Sequence, residues 1–224
     1  MANYIVDPAV LQQYLPHQTV LDEFHGNVYV SLVGFMFTDT RLRGLKIPFH
    51  VNFEEVNLRF YVRYNDHGEW KRGTVFIKEF VPKPAISFVA NTIYHERYST
   101  KKMSHFFHPG NGEIHLGYHW KHLNKWNKLE ASIETPAALM QAGSEEEFIA
   151  EHYWGYSKYN DTTTFEYHVQ HPPWKVYPVK NYLVDCDFCA LYGSDFAALE
   201  QARPHSVFVA EGSKISVLKK IKLG

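Results

Sequence analysis

Apolar and polar residues alternate through Phe53 to Arg63 (FEEVNLRFYVR), with Val56, Leu58, Phe60 and Val62 on one side and Glu55, Asn57, Arg59, Tyr61 and Arg63 on the other. Successive side chains of a β-strand point to opposite faces, so this period predicts a strand with one aliphatic and one mostly charged face. The charged face either meets water or lines a pocket. Upstream, Val28 to Phe37 (VYVSLVGFMF) is almost continuously apolar between Gly26-Asn27 and Thr38-Asp39, the pattern of a buried strand, with Gly34 as a candidate bulge. Downstream, Asn65 to Glu69 (NDHGE) supplies the turn chemistry for a hairpin into Thr74 to Ile77.

Further strands are predicted at Glu113 to Trp120, Asn127 to Ile133, Thr162 to Val169, Ser206 to Ala210 and Lys214 to Lys219, with Glu211-Gly212 turning the last pair. Asp7 and Pro8 open a short helix carrying Val10, Leu11, Tyr14 and Leu15 on one side, which ends before Pro16. Lys83 to Tyr94 is predicted helical from Pro84, with Ile86, Val89, Ala90 and Ile93 sharing a face and YSTKKM following as a loop. Ser144 has the spacing of a helix cap ahead of Glu147, Phe148 and Ile149, and Ser194 starts a short helix that stops before Pro204. The diproline segment HPPWKVYP runs extended and is excluded from a sheet centre. The expected class is mainly β (α+β), a curved antiparallel barrel-like sheet with a few short peripheral helices. No repeat, low-complexity run or linker interrupts residues 1–224, which are expected to form one domain.

Aromatic residues make up 16% of the chain, which favours strands and a large apolar interior or cavity. The basic and acidic residues number 23 and 24, so the phosphate-neutralising excess that nucleic acid requires is absent. Lys214, Lys219, Lys220 and Lys222 interleave with Ile215, Val217, Leu218 and Ile221, as on a solvated strand edge. No signal peptide or membrane-length apolar run is present, so a cytoplasmic location is the default expectation. Cys186 and Cys189 have the spacing of a redox or half-zinc motif, but lack a second ligand pair; two thiols on a short helix is the simpler reading.

Five segments in order, FHGNVYVSLVGF (24–35), RGLKIP (43–48), FEEVNLRFYVR (53–63), EHYWGYS (151–157) and HPPWKVYP (171–178), resemble the YqjF-like uncharacterised bacterial family of the acetoacetate decarboxylase-like superfamily. The resemblance spans almost the full length. It implies a strongly curved antiparallel β-barrel with short helices around it, an interior cavity and a capacity to form homo-oligomers, and it supplies no known reaction for the family itself. The resemblance implies, from the decarboxylase relatives, a lysine that forms a Schiff base with a ketone while an adjacent lysine keeps it partly neutral. Lys101-Lys102 stands at about the corresponding place, without the Gly-Phe-Pro that precedes the pair in those relatives. The resemblance also implies a pocket glutamate in an aromatic-x-Glu arrangement, which Phe53-Glu54-Glu55 reproduces.

Candidate catalytic residues are therefore Lys101, Lys102 and Glu55, and candidate ligand contacts are Arg59, Tyr61, Tyr94, His171 and Trp174. A carboxylate buried in an apolar cavity needs a partner, yet residues four apart on a strand are about 13 Å apart, so Arg59 cannot serve Glu55 directly without a bend. Arg59 is instead suited to the carboxylate of a small acid. Glu113, His115 and His119 alternate on one strand face after His105-x-x-His108, a polar sheet face or a set of metal ligands; no metal and no cofactor is assigned. His152 and His171 either fix loops by hydrogen bonds or act as acid and base at a cavity entrance. Two functions remain: a protein that binds a small apolar or acidic metabolite, and a Schiff-base enzyme acting on a small keto acid.

Overall fold

The computed structural model describes residues 1–41 and 50–223, with backbone alone at 93 and 94. The RGLKIP segment lies outside the described residues. In chain order the main elements begin with β1 (Ala2–Val6), α1 (Pro8–Leu11), β2 (Val28–Phe37), β3 (Phe53–Asp66), β4 (Glu69–Val81) and α2 (Pro84–Val89). There follow β5 (Tyr98–Thr100), β6 (Lys102–Pro109), β7 (Glu113–His122), β8 (Lys125–Glu134), α3 (Glu145–Ala150), β9 (Trp154–Asn160), β10 (Thr163–Gln170), β11 (Val179–Asp185) and α4 (Phe188–Tyr192). The fold is mainly β with a few short helices, as predicted. Among the described residues no sheet closes into a barrel.

Local chemistry explains most boundaries. The Asp7 carboxylate accepts a hydrogen bond from the Ala9 amide to start α1, and Ser144 Oγ accepts one from the Glu147 amide to start α3. His67 and Gly68 take φ of 53° and 102° between β3 and β4, the left-handed pair that a tight hairpin turn demands. The predicted helix at 83–94 stops being α at Val89 and widens into a π turn over Ala90–Tyr94, closed by left-handed His95. Ser194 is not a cap: Gly193 holds that place before a 3-10 helix over Ser194–Glu200, while α4 begins at Asp187, whose side chain accepts from the Ala190 amide.

Eleven strands form the main sheet, whose path runs from the short strand Ser206–Val207 through β1, β2, β3, β4, β9 and β10 to Ser216–Val217. Two of its pairings are parallel, β4 with β5 and β4 with β9, which departs from the all-antiparallel expectation. The YSTKKM loop is in fact strand on both sides of Lys101, because the sheet edge offered by Glu79–Val81 recruits Tyr98–Thr100. A second, four-stranded sheet runs β11, β8, β7, β6, and a small three-stranded one joins Ala138–Leu139, Lys175–Tyr177 and Val209–Ala210. The two short strands Ser206–Val207 and Val209–Ala210 replace the single strand expected at 206–210, and only Ser216–Val217 is strand within 214–219.

The aliphatic face of β3 meets the principal core with Tyr4, Leu32, Phe80, Trp120, Tyr156, Phe188 and Phe196. Its other face meets a second cluster, in which Tyr61 packs with Tyr29, Phe148, Ile149 and Phe208. No helix among the described residues is long and apolar enough to cross a membrane. Gly34 is no bulge, since β2 and β3 pair through it without a break. It is the point where the two larger sheets touch: a Cβ there would lie 2.6 Å from Cδ2 of Tyr118 on β7.

Gly34→Ala is therefore expected to destabilise the fold by about 1–3 kcal/mol through overpacking. An unchanged urea midpoint for that variant would mean that the sheets do not rely on this close approach.

Candidate functional site

The pairing of β3 with β4 decides which charges share a face. From the turn to Arg59↔Phe76 the strands pair regularly, then a bulge sets Leu58 opposite Lys78 and Asn57 opposite Glu79. Without the extra residue, Lys78 would oppose Asn57 and stand beside Glu55. With it, Glu79 takes that place and Lys78 turns to the principal core.

Glu55, Asn57 and Glu79 are each 1% exposed. Asn57 Nδ2 donates to Glu55 Oε1 at 2.9 Å, and the Tyr98 hydroxyl donates to Glu55 Oε2 at 2.8 Å. Glu96 joins them electrostatically and accepts from the Tyr167 hydroxyl at 2.9 Å. Burial pushes the Glu55 carboxyl up to about 7, although Asn57, Tyr98 and Arg59 pull the other way. Burial likewise lifts Glu96 to about 8, helped by Glu55, and holds Glu79 well above the carboxylate range with help from Glu96 and Glu55. Three acids thus share one buried site, whose dehydration and mutual repulsion favour their protonated forms.

Arg59 is not their partner. Its guanidinium donates to the Ile149 carbonyl and the Tyr61 hydroxyl, both at 3.3 Å, and Tyr61 passes the chain on to Ser31 Oγ at 2.7 Å. Tyr61 is fully buried and stacks on His152 at 4.6 Å between ring centres. His152 sits 3.8 Å from Asp22, which in turn takes Arg72 Nε at 2.6 Å. Burial, then Arg72 and Arg59, lowers His152 to about 4 against the pull of Asp22. Arg63 lies outside the site, its guanidinium 4.8 Å from the Trp70 ring centre.

Lys101 links β5 to β6 and Lys102 opens β6, and these consecutive residues point to opposite faces. Lys102 is exposed near Trp126, whereas Lys101 turns toward the principal core. There its Nζ lies 2.8 Å from His122 Nδ1 and 5.6 Å from the Phe80 ring centre. The second lysine beside it is Lys78, which stands 5.7 Å from the same ring and donates to the Leu191 carbonyl at 3.1 Å. Burial and then Lys78 lower the Lys101 ammonium from its usual range. Tyr192, whose ring is 5.5 Å from Phe80, has a buried hydroxyl with no partner among the described residues. Trp120, two residues before His122 and on the same strand face, has a buried indole N–H that also lacks one. Glu55 and Lys101 are thus on opposite faces of the main sheet.

His171 is sandwiched between Tyr153 and Trp174, with ring separations of 4.7 and 4.3 Å. Trp174 anchors the diproline segment through Nε1 to Ser213 Oγ at 2.8 Å and packs against the Tyr61–Phe148 cluster. Tyr94 lies in the π turn, and its side chain is outside the described residues. His105, His115 and His119 take carboxylate partners one by one, Glu54, Glu113 and Glu130. No group of three His, Cys, Asp or Glu among the described residues has metal-holding geometry. Cys186 is buried just ahead of α4 and Cys189 is exposed within it.

Residues 1–214 match the sequence profile of DUF2071, described as "Uncharacterized conserved protein". The chain belongs to the DUF2071 family. A DUF2071 relative, the uncharacterized protein YqjF of Bacillus subtilis, is 28% identical over 77% of this chain and 69% of its own length. Among solved structures, the acetoacetate decarboxylase of Legionella pneumophila aligns with TM-score 0.55 at 14% identity, over 99% of this chain and 78% of its own. The enduracididine biosynthesis enzyme MppR in complex with pyruvate gives 0.60 at 11%, over 96% and 86%. An acetoacetate decarboxylase-like enzyme of Sphingomonas wittichii gives 0.60 at 13%, over 100% and 89%. At these identities the likeness fixes the fold of this DUF2071 member as acetoacetate decarboxylase-like and carries no activity with it.

The sequence pattern does not single out Glu79, Glu96, Asn57, Tyr98 and Tyr167 as site residues, nor Lys78, His122, Trp120 and Tyr192. The hairpin turn supplies a register, but the bulge that sorts Lys78 from Glu79 leaves no local signal.

The pH dependence of stability follows from the buried acids. Carboxyls whose folded-state affinity for protons is raised add stability that is present below about pH 4.5 and lost as pH climbs through about 7 to 8. His152, held neutral, acts oppositely: its contribution is present above about pH 6.5 and lost as pH falls through about 4. Glu55→Gln, which imitates the protonated acid, is expected to raise the melting temperature at about pH 8 and to leave it unchanged at about pH 5, an effect on the order of a few kcal/mol. Parallel melting curves across that range would mean that Glu55 carries no extra proton in the fold.

Proposed function

We propose that this DUF2071 protein binds a small carboxylic acid at Lys78, Lys101 and His122. The observation that carries the reading is the convergence of two lysines and a histidine around Phe80, close to the hydroxyl of Tyr192 and the N–H of Trp120, which have no partner among the described residues. Buried donors without acceptors are costly, at about 1–3 kcal/mol each, and a carboxylate supplies lone pairs for them. The aromatic wall suits a ligand with a short apolar body. Arg59, bonded to Ile149 and Tyr61, is a positioning group for α3 rather than the anion's anchor.

A second reading adds chemistry at the same place. Lys101 is the candidate nucleophile, because burial and Lys78 favour its neutral amine. The amine nitrogen adds to a keto carbon, a proton moves to the oxygen, and water leaves as the imine forms. His122, 2.8 Å away, is placed to carry that proton. Lys102 has no part in this scheme, and Glu55 acts on the far side of the sheet.

Pyruvate with borohydride reduction, followed by peptide mass spectrometry, tests both readings at once. The enzyme reading expects a reduced adduct on Lys101 and none on Lys102, lost in Lys101→Met and slowed in Lys78→Met. Binding without turnover expects no adduct, but a rise in melting temperature with pyruvate that Lys78→Met and Lys101→Met both abolish and Lys102→Met preserves. Neither adduct nor thermal shift with pyruvate, acetoacetate or longer keto acids would sink the proposal.

A further inference from the structure

The opposite face of the sheet holds a site with the reverse polarity. Glu55, Glu79 and Glu96 lie together there, and among the described residues no cation bonds to any of them. Arg59 and Arg97 are felt electrostatically but are committed elsewhere, Arg59 to Ile149 and Tyr61 and Arg97 to the Tyr14 ring at 5.9 Å. Lys220 is likewise felt by Glu96 and sits 3.8 Å over the Phe165 ring centre. The donors that are present, Asn57 Nδ2 and the hydroxyls of Tyr98 and Tyr167, are already used on Glu55 and Glu96, with Tyr98 shared between Glu55 and Glu79.

Two further acceptors are unanswered. Glu79 Oε2 and the amide oxygen of Asn57 are buried and lack any hydrogen-bond partner among the described residues, although both side chains are 1% exposed. Asn57 is no acid, so its orphaned oxygen points to a missing donor independently of the carboxyl cluster. A buried acceptor is nearly always paired, which makes two at one spot a specific request for N–H or O–H groups. A crevice of about 10 Å³, lined by Tyr14, Phe76, His95, Glu96 and Arg97 among others, borders Glu96 and has room for about one water molecule.

We propose that the pocket of Glu55, Asn57, Glu79 and Glu96 binds a compact organic cation rich in N–H donors, of the ammonium or guanidinium class. Several N–H groups on one small cation answer both orphaned acceptors, and its charge takes the place of the protons that otherwise hold the acids neutral. The crevice beside Glu96 has room for about one water, so only the smallest cations suit it, and methylammonium or guanidinium enters as the side chains around Glu96 give way. A divalent metal does not suit the site, because no three ligating side chains among the described residues converge as it would require. This site is separate from the lysine cluster, so the two proposals stand or fall independently.

Thermal melts of the full chain at about pH 7.5 with millimolar methylammonium or guanidinium, compared with tetramethylammonium at equal ionic strength, test it. The expected result is a saturable rise in melting temperature with methylammonium or guanidinium and none with tetramethylammonium, which has no N–H to donate. Titration calorimetry in buffers of different ionisation enthalpy is expected to show proton release on binding. Glu79→Gln, a close isostere, is expected to weaken binding about tenfold or more, and Lys101→Met to leave it intact. Equal response to all three cations in the wild-type protein, or none, overturns the proposal without reference to any variant; undiminished affinity in both Glu79→Gln and Glu55→Gln overturns it as well.

Discussion

The fold depends on burying β3 on both of its faces. An isolated amphipathic strand needs only one covered face, yet this one meets the principal core on its aliphatic side and a second aromatic cluster on the other. Covering the second face removes water from Glu55, Asn57, Arg59 and Tyr61, and each must then find a protein partner or change its protonation. Arg59 and Tyr61 take the first route through Ile149 and Ser31. Glu55 takes the second, and the same dehydration that raises it raises Glu79 and Glu96. The acidic pocket is thus a consequence of where α3 and the neighbouring strands sit, as much as of the residues that form it.

The sheet also works as a divider. Lys78 and Glu79 are consecutive residues of one strand, and their side chains leave the backbone for opposite sides. Lys101 and Tyr98 repeat the arrangement on β5 and just beyond it, the lysine beside Phe80 and the tyrosine on Glu55. Acids and amines that would neutralise one another as surface ion pairs are kept apart by a layer of peptide groups, and among the described residues neither set bonds to a counter-ion. Such separation is costly to stability and is the sort of local inconsistency that marks working sites in otherwise self-consistent folds.

How much of this was legible in the sequence varied with the range of the interactions. The alternation in FEEVNLRFYVR and the apolar run before it placed β2 and β3, and the caps at Asp7 and Ser144 marked two helices, because those signals lie within a few residues. Tyr98–Thr100 reads as loop in the sequence, since a three-residue strand exists only through the edge it joins. Trp154–Asn160 escaped because Gly155 interrupts its aromatic alternation; that glycine is needed where the Tyr167 ring lies against the backbone. Glu55 entered by family precedent and Lys101 by the doublet it forms with Lys102. Its neighbour in space proved to be Lys78, since adjacent residues of a strand cannot share a face. Glu79 and Glu96 were beyond reach, because their company is set by register and by the chain's return after α2.

The bulge in β4 has an evolutionary reading. A one-residue insertion or deletion at Ile77 would exchange the faces of Lys78 and Glu79 without altering either side chain, handing the amine to one hollow and the acid to the other. Relatives with nearly the same residues in this strand can therefore differ in the charge their pockets present, and a gap of a single position in an alignment is the place to look for such a change of ligand preference.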